Sequence, residues 1–315
     1  VNLHSAPMFH VSAVGIFFTT MVGGVHVFTS TFEAGALLDL LESERVTHCF
    51  TVPAIIDRLT KHPKAKVADL SSMRIFGYGG SAMPVPLMLA ARERFPSIGL
   101  AHGYGMTEVP ALTILGPDDH RPDAEPSRLR SVGRVMPEYE IKVMRETGEE
   151  CAPGESGEIV ARGPNIMLGY WNRPEETAQA LRGGWMHTQD IGYFDEAGYL
   201  FVSDRIKDMI VSGAENVYSI EVEDVIYRHP AIEECAIIGV PDEKWGERVH
   251  AIVVARQDCT IDPAELIGFC RESIAGYKCP KTVEVRIDPL PRSAAGKVLK
   301  AALRDEARAA RAAVA

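Results

Sequence analysis

RIFGYGGSAMPVPLMLAARERF (residues 74–95) decides the reading of the fold. Arg74–Tyr78 is a short β-rich run. Two glycines follow, and Pro84 then opens an amphipathic stretch to Phe95, with proline in the first turn, where a helix tolerates it. Strand, glycine turn and helix in succession form the unit of a layered α/β sheet. The pattern recurs toward the N-terminus. Val25–Phe28 and His48–Val52 are β-rich, and Ala34–Glu44 is amphipathic. Residues 1–103 therefore read as α/β, a sheet with covering helices. Beyond them Gly and Pro become frequent, and short alternating segments occur at Tyr139–Met144, Gly157–Ala161 and Tyr199–Val202. That texture predicts a β-rich subdomain over about residues 104–203. A third pattern starts near Asp204. It comprises a helix at Ser219–Arg228 with Ser219 as N-cap, strands at Glu234–Val240 and Arg248–Ala255, a helix at Pro263–Ile274 and a strand at Thr282–Ile287. An Ala- and Arg-rich helical tail from Lys300 completes a compact α+β unit.

Composition bounds the function. A chain of 315 residues is long enough for two domains with their own cores. Its formal net charge of −10 argues against a nucleic-acid partner, which needs a basic face. The six cysteines form no CxxC pair and no regular spacing, so buried free thiols in a reducing cytoplasm are expected rather than disulfides or zinc. The apolar run VSAVGIFFTTMVGGVHVF (11–28) holds three Gly, three Ser or Thr, and His26, and the first basic residue is Arg45. It reads as a buried helix running into a buried strand, not as a membrane span or signal peptide.

Several short segments each carry a side chain with chemical use, and each also has a plain structural reading. GYGMTE (103–108) offers a close backbone approach, the Thr107 hydroxyl and the Glu108 carboxylate, a suitable Mg²⁺ ligand, or else a turn between strand and helix. YGGSAMP (78–84) has backbone exposed beside a strand end, or is simply a loop. Asp190 in WMHTQD (185–190) and Arg205 in DRIKDMI (204–210) suit a ribose diol or phosphate, or form a surface ion pair. SGAENVYSIEVE (212–223) is a glycine loop running into a helix. LPRSAAGK (290–297) places Lys297 on a flexible loop, either to meet phosphoryl charge or merely to face solvent.

PMFH (7–10), YGGSAMP, GYGMTE, HTQD, DRIKDMI, SGAENVYSIEVE, GYKCP (276–280) and LPRSAAGK stand in one fixed order. Together they resemble the adenylate-forming superfamily of acyl- and aryl-CoA synthetases, firefly-type luciferases and peptide-synthetase adenylation domains. The resemblance covers nearly the whole chain. It implies that residues 1–206 are the C-terminal part of the large adenylate-forming domain, and 207–315 a small α+β lid. It implies an ATP-dependent acyl-CoA synthetase acting through an acyl-adenylate, with ATP, Mg²⁺ and CoA as cofactors and a fatty or aryl carboxylate as substrate. Gly79, Gly80 and Ser81 would line the adenine pocket, and Tyr104 and Gly105 would also bind the cofactor. Thr107 and Glu108 would serve phosphate and metal, Asp190 and Arg205 the ribose, and Lys297 the first transition state. His10 would sit by the acyl group, Lys207 at the hinge and Gly213 at the thiol tunnel. Phe17, Phe18, Phe76, Tyr78 and Met106 are candidates for the acyl pocket.

Two departures stand out. The family usually has Gly where this chain has Gln189. The Ser/Thr/Gly-rich phosphate loop expected upstream of PMFH is not in the sequence, which therefore reads as a fragment that adenylates poorly alone. The alternatives are an adenylation module loading a carrier-protein thiol and a non-catalytic binding remnant.

Overall fold

The computed structural model describes residues 1–5, 8, 12–29, 32–81, 83–213, 215–293 and 296–314. Two compact units result: Val1–Thr188 with Gly192–Val202, and Gln189–Ile191 with Ser203–Ala315. None of the described helices is long and apolar enough to cross a membrane.

The first unit is built on β1 (Asn2–His4), β2 (His26–Phe28), β3 (His48–Thr51), β4 (Ile75–Gly79), β5 (Gly99–Met106), β6 (Val109–Leu115) and β7 (Arg134–Val135). They form a sheet in the order β2-β1-β3-β4-β5-β6-β7. The first five strands run parallel, and β6 and β7 are antiparallel additions. Parallel neighbours need crossover helices. These are α1 (Ser12–Met21), α2 (Ala34–Ser43), α3 (Pro53–Lys61) and α4 (Val85–Arg94). The Glu33 carboxylate caps α2 by accepting from the N–H groups of Gly35 and Ala36 at 2.9 and 2.6 Å. Leu37, Leu38 and Leu41 then face the core beside Ile56, Leu59, Phe76 and Tyr78. A second sheet follows, in the order β11-β10-β9-β8. Its strands are β8 (Glu140–Met144), β9 (Gly157–Arg162), β10 (Met186–Phe194) and β11 (Leu200–Arg205), with α5 (Pro174–Ala180) between β9 and β10.

Two expectations are corrected here. The β-rich stretch does not begin at residue 104, because β5 runs through that position and β6 and β7 extend the first sheet to Val135. Within the 11–28 run, Ser12–Met21 and His26–Phe28 form the expected helix and strand, but not a buried pair. Phe17, Phe18 and Met21 are 71%, 67% and 82% exposed, and Phe28 on β2 is 56% exposed. Among the described residues β2 is the sheet's edge.

The second unit holds β12 (Ile210–Ser212), β13 (Glu215–Val217), α6 (Ser219–Ile226), β14 (Ile232–Asp242), β15 (Gly246–Ala255), α7 (Pro263–Arg271), β16 (Thr282–Arg286) and α8 (Lys300–Val314). Its sheet runs β13-β12-β15-β14, with β16 parallel beside β15. Both faces are covered, so β14 reads as one apolar run, CAIIGV, rather than as an alternation. Cys235 and Ile237 pack with Val222, Val225 and Leu266, whereas Ala236, Ile238 and Val240 pack with Leu303 of α8. Of the cysteines, Cys49, Cys235, Cys270 and Cys279 are buried, Cys151 is half-buried and Cys259 is exposed.

Ser219 is not the N-cap of α6. It is the first helical residue, and Tyr218 before it offers no side-chain cap. The Asp204 carboxylate, fifteen residues away, accepts the Ser219 N–H instead. A carboxylate caps a helix start more strongly than a hydroxyl, because the helix dipole adds to the hydrogen bond.

Candidate active site

In the first unit the candidate residues gather at the carboxyl ends of parallel strands, where open α/β sheets bind ligands. Gly79 ends β4 and pairs in register with Gly103 of β5. A Cβ at Gly79 would lie 2.3 Å from the Gly103 carbonyl oxygen, so only glycine fits. The half-buried Phe50 of β3 lies over this track, its ring 3.0 Å from a Cβ at Gly79 and 3.4 Å from one at Gly103. The half-buried Gly80 and the exposed Ser81 follow as a bend.

GYGMTE does not lead into a helix. Its first four residues end β5, and Thr107 and Glu108 turn the chain back into antiparallel β6. The register slips between Tyr104 and Met106. A Cβ at Gly105 would meet the Ala111 nitrogen at 2.6 Å, so glycine makes this bulge possible. Thr107 is exposed. Glu108 is held at two points: its carbonyl accepts from the Met167 N–H, and its carboxylate from the Tyr170 hydroxyl, both at 2.8 Å. Burial first, and then this contact, push the Tyr170 hydroxyl up to about 12. Tyr170 lies 62 residues from Glu108, and no spacing rule in the sequence singles it out.

Of the acyl-pocket candidates, Phe76 and Tyr78 are core residues with no exposed surface. The Tyr78 hydroxyl and His120 Nε2 share a hydrogen bond of 2.8 Å, and the Tyr78 ring stacks on His102. Phe17 and Phe18 are on the surface, and Met106 is half-buried. His10 lies outside the described residues.

In the second unit, Asp190 is 5% exposed, and its Oδ1 lies 3.2 Å from Arg205 Nε. The pair is therefore not a surface salt bridge on its acidic side. Removing Arg205 would strand a buried carboxylate. Lys297 is the third member of this group. Burial lowers its ammonium pKa, the Arg205 charge lowers it further, and Asp190 partly opposes both. The loop carrying it is a closed turn. Arg292 and Val298 form a bridge, the Ser293 N–H donates to the Lys297 carbonyl at 2.8 Å, and Arg292 Nη1 donates to Gly296 O at 2.9 Å.

Gln189 has φ of +60°, the left-handed region that favours glycine. This is the physical reason a family would keep glycine here, and this chain bears the strain with a longer side chain. Lys207 lies in the exposed turn after β11, and Gly213 in the turn after β12, with φ of +70° and its N–H on Trp245 O at 2.7 Å. Among the described residues, no hydrogen bond or ion pair joins Lys207 or Gly213 to Lys297.

Residues 1–171 match the AMP-binding enzyme model, and residues 221–297 match the AMP-binding enzyme C-terminal domain. The chain belongs to the AMP-binding enzyme family. It is similar to curated CoA synthases and CoA ligases. A feruloyl-CoA synthase from Amycolatopsis is 44% identical over 96% of this chain and 60% of the relative. Among solved structures, an amide bond synthetase from Marinactinospora thermotolerans matches at 37% identity with a TM-score of 0.91, over 96% of this chain and 61% of the other. The o-succinylbenzoate CoA synthetase of Bacillus subtilis, in complex with its acyl-adenylate intermediate, matches at 34% identity with a TM-score of 0.83, over 96% and 60%. The chain thus spans about 60% of the length of the curated relatives it matches.

Proposed function

We propose that this AMP-binding enzyme family member activates a carboxylic acid with ATP and passes the acyl group to the thiol of CoA. The buried Asp190 with Arg205 and Lys297 carries the reading, because a scaffold gains nothing from a desolvated carboxylate and two cations held together. In the first step a substrate carboxylate oxygen attacks the ATP α-phosphorus, and the bond to pyrophosphate breaks. Asp190 accepts from the ribose hydroxyls, and Arg205 holds the Asp190 carboxylate in line. The Lys297 ammonium, partly desolvated, offsets charge gathering on the transferring phosphoryl oxygens. Gly79, Gly80, Ser81, Tyr104 and Gly105 present backbone to the adenine. His10, outside the described residues, is assigned to the acyl group by the family resemblance.

Glu108 is a half-buried carboxylate with no cationic partner among the described residues. One carboxylate beside a threonine hydroxyl suits Mg²⁺, which keeps few protein ligands and shares phosphate oxygens. Bound there, the ion would neutralise phosphate charge. In the second step the CoA sulfur attacks the acyl carbon, and AMP leaves with the electron pair of the broken C–O bond. Lys207 serves as the pivot between the steps, and Gly213 leaves room for the thiol.

The amide bond synthetase likeness favours a second reading, in which an amine takes the acyl group in place of the thiol. Both readings are tested with the longest natural polypeptide containing these residues. Aryl carboxylates, ferulate first, and fatty acids of graded length are screened for ATP–pyrophosphate exchange, then for AMP release with CoA or with amines. Lys297→Ala should cut exchange by about 100-fold or more, the scale of losing one preorganised charge. It should largely spare thioester formation from supplied acyl-adenylate. Equal loss in both half-reactions would refute the role given to Lys297.

A further inference from the structure

Between Asp204 and Asp208 the chain is held by side chains that the chemistry above does not use. Lys300 opens α8, three residues after Lys297, and its side chain is only 15% exposed. The ammonium donates to Ser219 Oγ at 2.5 Å and lies 2.7 Å from Glu223 Oε1. Glu223 also accepts from the Ile237 N–H at 2.9 Å. Asp204 is 2% exposed and accepts from the Ser219 and Arg205 N–H groups. One turn along α8, Arg304 donates to the Asp208 carboxylate and to the Lys207 carbonyl, the latter at 3.3 Å. Between these two cations, Leu303 is fully buried against Ala236, Ile238 and Ile252. The first turn of α8 thus grips the 204–208 segment at both ends.

We infer that Lys300 and Arg304 are positioning residues that fix where Lys297 stands relative to Asp190 and Arg205. The inference rests on the role proposed for Lys297 and deepens it. Only Val298 and Leu299 separate Lys297 from Lys300, and both are pinned: Val298 bridges Arg292, and the Leu299 N–H donates to Pro291 O at 2.8 Å. A shift at the foot of α8 therefore reaches Lys297 without slack. Arg205, which pairs with Asp190, directly follows Asp204, the other anchor of the network. In this arrangement, helix α8 accordingly links the lysine loop to the segment that carries Arg205.

Energetics favour a geometric role. The half-buried Glu223 pairs directly with the Lys300 ammonium, and the buried Asp204 acts on it by charge and through Ser219, which both contact. Burial alone would lower the Lys300 pKa, but the two carboxylates more than reverse it and keep the group charged. Burial raises Asp204 despite its partners. Apolar side chains of similar size would often hold such a helix at least as well. What ions and hydrogen bonds add is direction, and direction is what a catalytic ammonium three residues away requires.

The test compares Lys300→Met, which keeps length and removes charge, with Lys300→Arg, which keeps charge. Two readouts are taken on the longest natural polypeptide. The first is the split between ATP–pyrophosphate exchange and thioester formation from supplied acyl-adenylate. Lys300→Met should lower exchange by about 10- to 100-fold, the scale of a misplacement near 1 Å, with less than about 3-fold change in the second half-reaction. Lys300→Arg should recover most of the loss. The second is the rate at which acetic anhydride labels Lys297, read by mass spectrometry against the exposed Lys244 and Lys281. Lys300→Met should change labelling at Lys297 alone, while the buried Cys270 thiol stays protected. If Cys270 becomes reactive, the variant has unfolded, and the same measurements are made on Glu223→Gln, which preserves volume. Unchanged Lys297 labelling, or equal loss in both half-reactions with Cys270 protected, overturns the inference. Should Lys297→Ala leave exchange intact, the proposed function fails instead, and the labelling readout still decides whether Lys300 positions Lys297.

Discussion

Acidification should loosen the first unit through one histidine. His102 on β5 pairs in register with Tyr78, stacks on its ring at 4.7 Å and is 9% exposed. Burial first, and then the charge of the nearby His120, push its pKa down from 6.5 to about 4. The folded protein therefore takes up this proton less readily than the unfolded chain. Between pH 6.5 and 4 the unfolded state binds more protons, so stability falls as pH falls through that window. A depression from 6.5 to about 4 corresponds to about 3 kcal/mol once the window is crossed, and about 2 kcal/mol of it falls between pH 7 and pH 5. Urea unfolding of the full chain, followed by tryptophan fluorescence at both pH values, measures the loss. His102→Gln keeps a neutral polar side chain and removes the titration. His120 and the carboxylates remain in both proteins, so the difference between the two pH slopes isolates His102. Wild type should lose about 2 kcal/mol more than the variant on going to pH 5. Equal slopes would refute the reasoning. An NMR titration of the His102 ring with a midpoint near 6.5 would refute it even if the variant proves too unstable to compare.

Gly79→Ala should cost about 2 kcal/mol, because its Cβ would press on the Gly103 carbonyl at 2.3 Å with backbone on both sides. The urea midpoint should shift accordingly, and AMP affinity, measured calorimetrically, should fall with it; an unchanged midpoint would mean the strand ends yield easily. Gln189→Gly should relieve the strain at φ of +60° by about as much as it loosens the unfolded chain, leaving stability within about 0.5 kcal/mol of wild type. Gln189→Val, β-branched and averse to positive φ, should lose about 2 kcal/mol in the same assay, and a neutral valine would contradict the strain argument.

The local alternation of the first sheet was legible because each crossover repeats one grammar. A short apolar run, a turn and an amphipathic stretch occur at His48 and again at Arg74. Two features were not legible. β1 is only Asn2–His4, too short to show a period, and ALTIL in β6 alternates as any half-buried strand does. Period marks a strand but does not say which sheet it joins, so β6 and β7 were credited to the later subdomain. At the site, the residue types of GYGMTE were visible, but the hairpin was not, since Gly105 against Ala111 is a tertiary fit. The cap of α6 shows the same limit. Ser219 carries a good local capping signal, yet Asp204 takes its N–H, and Lys300, 81 residues on, takes its hydroxyl. Local propensity lost to charges delivered from afar, as it did at Glu108, where Tyr170 closes the contact.

The open flank of the first sheet bears on handling. Among the described residues strand β2 ends the sheet, its outer hydrogen-bonding groups paired with no described strand, and Phe17, Phe18, Met21, Val22 and Val25 lie exposed beside it. An apolar edge of this kind recruits other chains and solvatochromic dyes alike. These 315 residues in dilute buffer should therefore be sticky along this border, so that colloidal behaviour depends on a ribbon of sequence that includes neither Asp190 nor Lys297. Charged substitutions on the solvent side of α1 offer a route to a well-behaved sample that leaves every residue assigned to chemistry untouched.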